Sequence, residues 1–180
     1  MIPYVVLGLP RSNTYWLSQF LSTDRRPCPH DPSRLWRSRA EVAPFFRQHG
    51  AAAVDTALGL IWDEVAVPGV RVVVIHRPVA AVEASLRRIG LDPSGMVEYA
   101  RKLWAIDGLH FQTTDLDNAE EAAQLFDYCV GEPFNLDRWR RLRRMRLECD
   151  PALIMREAMD NLDGIRAVFG SQGEDACSAH

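Results

Sequence analysis

The residues best suited to chemistry in this 180-residue chain fall in three short stretches. The first is Gly8-Leu9-Pro10-Arg11-Ser12-Asn13-Thr14, a turn between an apolar run and a helix-like pattern. A helix that begins in such a turn presents unpaired N–H groups and the positive end of its dipole, a combination that holds phosphate or sulfate. Arg11 adds a permanent charge and a planar fork of donors matched to oxyanions. The plainer reading is a strand-to-helix connection in which the Ser or the Asn caps the helix. The second stretch is HRPVAAVEAS at 76–85. Its Arg77, at the end of a strand, and its Ser85, two turns into the next helix, can reach one phosphate in the crevice where open parallel sheets bind ligands. The third is CPHDP at 28–32, where His30 and Asp31 offer an imidazole and a carboxylate as proton acceptors. Here the plainer reading is an Asx-type cap before Pro32 and a surface His.

Two further stretches carry charge. AAAVDT at 51–56 ends an apolar run in Asp55, which could hold Mg²⁺ beside a nucleotide, orient Arg11 or an acceptor, or cap the next helix. LDRWRRLRRMRLE at 136–148 carries six arginines. Leu136, Trp139, Leu142 and Met145 recur every third residue, so one side packs and the other is basic. That basic side reads either as a pocket wall or, more simply, as a solvated face paired with the acidic 115–127 region. Trp36, in the loop after CPHDP, is placed to stack on an acceptor ring.

Elements that alternate along the chain must position these groups. Pro3–Gly8, Ala51–Thr56 and Val70–Arg77 read as strands, and VRVVVIHR has the continuous β-branched character of a central parallel strand. Residues 110–116 suit an edge strand, and RRPCPHDPSRLW a short strand followed by a loop. Helical patterns cover 14–22, 39–49, 58–65, 79–89, 94–108, 118–129 with Asn118 as cap, 136–146 and 152–169. Pro78 stands where a first helical residue should be. Strands alternating with helices predict βαβ units in a single α/β domain over 1–170, a central mainly parallel sheet flanked by helices in three layers. Residues 171–180 read as a frayed tail.

Composition narrows the function classes. The hydrophobic fraction of 47% supports a core without disulfides or metals. A net charge of −3 carries no global nucleic-acid footprint. The basic residues are 20 Arg and the single Lys102, a bias of GC-rich genomes that points to a bacterium or its phage. The four Cys show no C-x-x-C spacing, so neither a zinc nor a redox motif is present, and they suit a reducing compartment. No secretory leader or membrane-spanning run is apparent, and a cytoplasmic location is expected.

Pro10-Arg11-Ser12-Asn13-Thr14-Tyr15-Trp16-Leu17 resembles the P-R/K-S-G-T-T-W-L loop of sulfotransferases. The Arg77…Ser85 pair resembles their R-x₇-S element, and residues 110–134 more loosely resemble their late strand-helix unit. The likeness covers roughly residues 2–135, and Asn13 and Tyr15 replace the Gly and the second Thr of the family loop. It implies a P-loop-type fold and 3′-phosphoadenylyl sulfate as donor, with no metal. Pro10, Arg11, Ser12, Asn13, Thr14 and Tyr15 would then surround the 5′-phosphosulfate, with Arg11 assisting catalysis. Arg77 and Ser85 would grip the 3′-phosphate, and the reaction would be sulfuryl transfer to a small-molecule or glycan acceptor. Several bacterial members place a catalytic Glu near the position of Asp31, and others use a His later in the chain; Asp31 occupies roughly the carboxylate position with His30 beside it, and both stand as candidate bases. The chain is short for the family, which implies that a second copy completes the acceptor pocket.

Two other readings stay open. The loop is not a Walker A sequence, because the Lys is missing and Asn13 replaces the Gly before it. With Asp55 it could still serve a nucleotide-dependent phosphotransferase. The fold could also persist as a non-catalytic binding module.

Overall fold

The computed structural model describes residues 1–145. The helix expected over 152–169 and the tail at 171–180 lie outside the described residues. Four strands form the sheet: β1 (Tyr4–Gly8), β2 (Ala52–Asp55), β3 (Arg71–His76) and β4 (Leu109–Gln112). All pair in parallel, in the order β2-β1-β3-β4. The helices are α1 (Thr14–Leu21), α2 (Val42–Arg47), α3 (Trp62–Val65), α4 (Val79–Arg88), α5 (Met96–Ala105), α6 (Ala119–Val130) and α7 (Leu136–Arg144). None among the described residues is long and apolar enough to cross a membrane.

Strand alternation divides the core in two. Tyr4, Val6, Val54, Val73 and Ile75 face α1 and α6, where Leu17, Phe20, Leu125 and Phe126 pack on them. Val5, Leu7, Ala53, Val72 and Val74 face the other way, against Phe46 of α2, Trp62 of α3, Val82 and Leu86 of α4 and Leu103 of α5. Helices thus cover both faces of the sheet, giving three layers. This explains why β1 and β3 read as continuous apolar runs rather than alternating ones. Each fully buried aliphatic contributes about 1.5–3 kcal/mol relative to exposure.

Arg26 ties the lower edge of this sheet together. It is buried, and its guanidinium donates to the carbonyl oxygens of Gly50 (2.7 Å), Ala51 (2.8 Å), Ile2 (2.6 Å) and Cys129 (3.3 Å) while lying over the Tyr4 ring.

The topology sets where a ligand can sit. The chain leaves β1 through α1 on one face to reach β2. It leaves β3 through α4 and α5 on the opposite face to reach β4. Adjacent strands β1 and β3 therefore send their connections in opposite directions, which opens a crevice above their C-terminal ends. Gly8 sits at that point, where an added Cβ would stand 3.2 Å from the Ile75 carbonyl oxygen.

Sequence-based expectations shift in several places. The helix expected over 39–49 begins as a 3-10 turn at Arg39–Glu41 and ends at Arg47. The one expected over 58–65 splits into a 3-10 turn at Leu58–Leu60 and the four-residue α3. Pro78 is the N-cap of α4 rather than its first residue. The strand expected before the 32–36 loop is a single parallel bridge, His30 to Val54. Asn118 caps α6 as expected, accepting the Glu120 N–H at 2.8 Å.

Candidate functional site

Among the described residues, three that are not Gly hold a left-handed backbone: Arg11 (φ 65°), Asn13 (φ 59°) and Asp31 (φ 47°). All three line one cleft of about 320 Å³ above β1 and β3, together with Thr14, Arg77 and Ser85. Each such conformation costs an L-residue about 1–2 kcal/mol, and residues held this way concentrate at functional sites. Asn13, at the N-cap of α1, makes no side-chain cap hydrogen bond. Ser12 does not cap either: its N–H donates to the Leu9 carbonyl (3.2 Å) and its fully buried hydroxyl has no partner among the described residues. The first turn of α1 therefore opens on the cleft without a side-chain cap, and Ser12 supports the loop from beneath rather than lining the cleft.

The two strand-end elements meet directly. The Arg77 guanidinium donates to the Arg11 carbonyl oxygen. Arg11 Nε donates to Ser85 Oγ at 3.1 Å, spanning 74 residues of chain. Arg88, one turn after Ser85, lines the same cleft. Burial, then the charges of Arg11 and Arg88, lower the pKa of Arg77. No carboxylate among the described residues pairs with Arg11, Arg77 or Arg88. Three cations drawn together without a counter-charge suit an anion with more than one charged group.

The opposite end of the cleft holds the proton acceptors. The parallel bridge seats residues 29–31 beside β2: Val54 N–H donates to Pro29 (3.0 Å) and Asp31 N–H to Val54 (2.7 Å). His30 Nε2 then lies 3.0 Å from Thr14 Oγ1, and His30 Nδ1 lies 3.3 Å from Asp31 Oδ2. Asp31 Oδ1 accepts the Thr56 N–H at 2.7 Å. The Tyr15 ring stands edge-on to the imidazole with ring centroids 5.6 Å apart. Burial pushes the His30 pKa down to about 4, so the imidazole is neutral at pH 7. Burial also raises the Asp31 carboxyl above its ordinary range.

The remaining candidates have other duties. Asp55 is fully buried and accepts the N–H groups of Ala57 and Leu58 (both 2.8 Å) and of Ser33 (3.0 Å). Burial and the neighbouring Asp31 raise its pKa. Of the roles open to it, capping the turn after β2 is the one realised. The Trp36 ring packs on Phe45, with centroids 5.2 Å apart, and does not line the cleft.

The arginines of α7 divide by position. Arg138 donates to the carbonyls of Gln19, Phe20 and Ser22 at the end of α1, while the Trp16 indole donates to Leu142 at 3.1 Å. α7 therefore runs antiparallel to α1, and its C-terminal end lies beside the first turn of α1. Arg143 pairs with Asp117, as the solvated-face reading expects. Arg146 lies outside the described residues.

Comparison with protein-family models, curated proteins and solved structures finds no match to this chain. The site thus rests on its own geometry. Pro10, Arg11, Asn13, Thr14, Tyr15, His30, Asp31, Arg77 and Ser85 share one cleft. Sequence reasoning passed over two participants. Arg88 could have been found from its three-residue spacing after Ser85 on one helix face. Thr56, which fixes Asp31 through its backbone N–H, left no signal in its side-chain type.

Proposed function

We propose that the chain is a sulfotransferase of P-loop type that takes its sulfuryl group from 3′-phosphoadenylyl sulfate. The observation that carries this reading is the trio of Arg11, Arg77 and Arg88 at the β1/β3 crevice, which has no carboxylate partner among the described residues, next to the side-chain-uncapped start of α1. A donor with a phosphosulfate and a separate 3′-phosphate has two anionic groups for these two features. Arg11, Asn13, Thr14 and the first N–H groups of α1 would hold the phosphosulfate, and Arg77, Ser85 and Arg88 the 3′-phosphate. Arg11 would also supply a fixed cation to the oxygen on which charge develops as the S–O bond breaks, which stabilises the transition state.

The acceptor, a small-molecule or glycan hydroxyl or amine, must lose a proton as it attacks. Neutral His30 takes that proton at Nε2, with Asp31 orienting the ring through Nδ1. The same proposal includes a cytoplasmic location and a second copy of the chain closing the acceptor side. The phosphotransferase reading drew on Asp55, whose carboxylate serves three backbone N–H groups instead.

The test uses the full chain with ³⁵S-labelled donor and a panel of phenols, sugars and amines. Label should pass to at least one acceptor, and adenosine 3′,5′-bisphosphate should inhibit at concentrations where AMP does not. Failure to transfer label, together with no donor heat by calorimetry at millimolar concentration, would remove the reading.

A further inference from the structure

A second cavity lies away from the anion cleft, at the other end of β3. Its volume is about 520 Å³, within the range of small-molecule pockets, and it is bordered by α3, the end of α5 and the turn that leads into β3. Val70 borders this cavity and Arg77 the cleft, so about 20 Å of strand separates the two. Trp62, Val67, Val70, Val72 and Ile106 make the lining apolar. Trp62 is only 5% exposed. The indoles of Trp16 and Trp139 each donate to a carbonyl, but the Trp62 N–H, which the protein does not seal off, has no acceptor among the described residues. Donors so nearly buried are ordinarily paired. An aromatic ring in the cavity would offer this N–H its π face, in the edge-to-face arrangement that aromatic pairs favour.

The rim of the cavity carries the charge. Asp63, in the first turn of α3, and Asp107, just after α5, are both exposed there. Neither carboxylate has an ion-pair or hydrogen-bond partner among the described residues. Lys102 also borders the cavity, and its ammonium donates to the Leu60 carbonyl at 3.2 Å. The rim is therefore net negative above apolar walls. An amine complements both parts, whereas a carboxylic acid of the same shape would meet Asp63 and Asp107. We infer that this cavity binds a small amine with an apolar, aromatic body, at a site separate from the anion cleft. The ammonium pairs with Asp63 and Asp107, and the ring lies against Trp62 and the valines. The site does not depend on the proposed donor.

The experiment titrates the full chain at pH 7 with 2-phenylethylamine and follows the backbone amides by NMR. Saturable shifts should appear around residues 59–63 and 105–108, while Arg11 and Arg77 stay unmoved. 2-Phenylethanol, the same body without the charge, should bind at the same place on the order of tenfold more weakly, because two exposed ion pairs are lost. 3-Phenylpropionate should bind more weakly still. Substituting Asp63→Asn and Asp107→Asn together should leave the alcohol's affinity unchanged and bring the amine down to it. Ala105→Phe, which adds bulk at an exposed position of the lining, should remove both ligands; if that variant fails to fold, the double Asn variant still decides. No saturable shift at these residues, equal affinity of the wild type for amine and alcohol, or a preference that survives the double substitution would each overturn the inference. None of these measurements involves the donor, so the sulfotransferase reading stands or falls separately.

Discussion

Replacing Arg77 by Ala separates a 3′-phosphate site from a generic phosphate loop. In the structure Arg77 has two attachments: its guanidinium braces the Arg11 carbonyl, and it lines the cleft without an anionic partner among the described residues. Only the second can distinguish adenosine 3′,5′-bisphosphate from AMP, because AMP lacks the 3′-phosphate. A charge-assisted Arg–phosphate contact contributes about 1.5–3 kcal/mol, so the wild type should prefer the bisphosphate by about 10- to 150-fold. Losing the brace affects both ligands alike. A hydrogen bond of that kind is worth about 1 kcal/mol, so AMP affinity should fall by about fivefold at most. The preference in Arg77→Ala should therefore collapse, while Arg77→Lys restores part of it, since an ammonium keeps the charge but not the fork. Isothermal calorimetry with two ligands and three proteins supplies every number. Equal affinity of the wild type for both ligands would refute the assignment of Arg77 and Ser85, and with it the donor. An AMP affinity that falls as far as the bisphosphate affinity would mean that Arg77 acts only through the loop.

Other expectations follow from the same geometry. His30→Ala and Asp31→Asn should each lower turnover by ~10²-fold or more with donor affinity nearly unchanged; near-normal rates in both, measured as steady-state kcat, would place the base elsewhere. Because neutral His30 is the proton-accepting form and its pKa is about 4, protonation of His30 itself should lower kcat/KM only below pH 5; an acid limb near 6.5 that persists in Asp31→Asn, where the raised carboxyl of Asp31 is gone, would contradict the burial of this ring. The same group makes stability pH-dependent. Its pKa is 6.5 unfolded and about 4 folded, so its contribution is complete above pH 6.5 and is lost as pH falls toward 4, a change on the order of 3 kcal/mol. The raised carboxyls of Asp31 and Asp55 act in the opposite sense. Urea titrations of wild type and His30→Gln across this range isolate the His30 share, and parallel curves would count against it. Arg26→Ala leaves several buried carbonyls without a donor and should cost about 3–5 kcal/mol in denaturant unfolding; a loss below 1 kcal/mol would show that those carbonyls find other donors.

Much of the scaffold was legible because its signals are local. The β-branched run at 71–76, the Gly-ended run at 4–8 and the capped helix after Asn118 each specify their element from neighbouring residues. The loop at 8–14 and the Arg77…Ser85 spacing were legible for the same reason: each is a turn chemistry followed by a helix. The rest depended on distance. Nothing in CPHDP shows that residues 29–31 extend the sheet beside β2, because that pairing is made with Val54, 24 residues on. The duty of Asp55 was one of three readings until its three N–H partners were in view, and those come from the chain folding back over it. Trp36 looked free for a ligand because Phe45, which covers it, lies beyond a turn whose direction the sequence does not state.

The three left-handed positions constrain how this site can change by mutation. At Arg11, Asn13 and Asp31 the backbone admits Gly, Asn and Asp readily and resists Val, Ile, Thr and Pro whatever their side chains would touch. In a library covering all substitutions at residues 8–35, selection for folded protein alone should leave a sharp conformational filter at these positions and a broad tolerance at exposed neighbours such as Leu35. Positions that combine this filter with a further demand for a particular charge or carboxylate, visible only under selection for activity, would separate the residues that shape the loop from those that touch the ligand. Abundant Val and Ile at 11, 13 and 31 among folded variants would show that the loop has another conformation available, and that its recognition of anions is not built into its backbone.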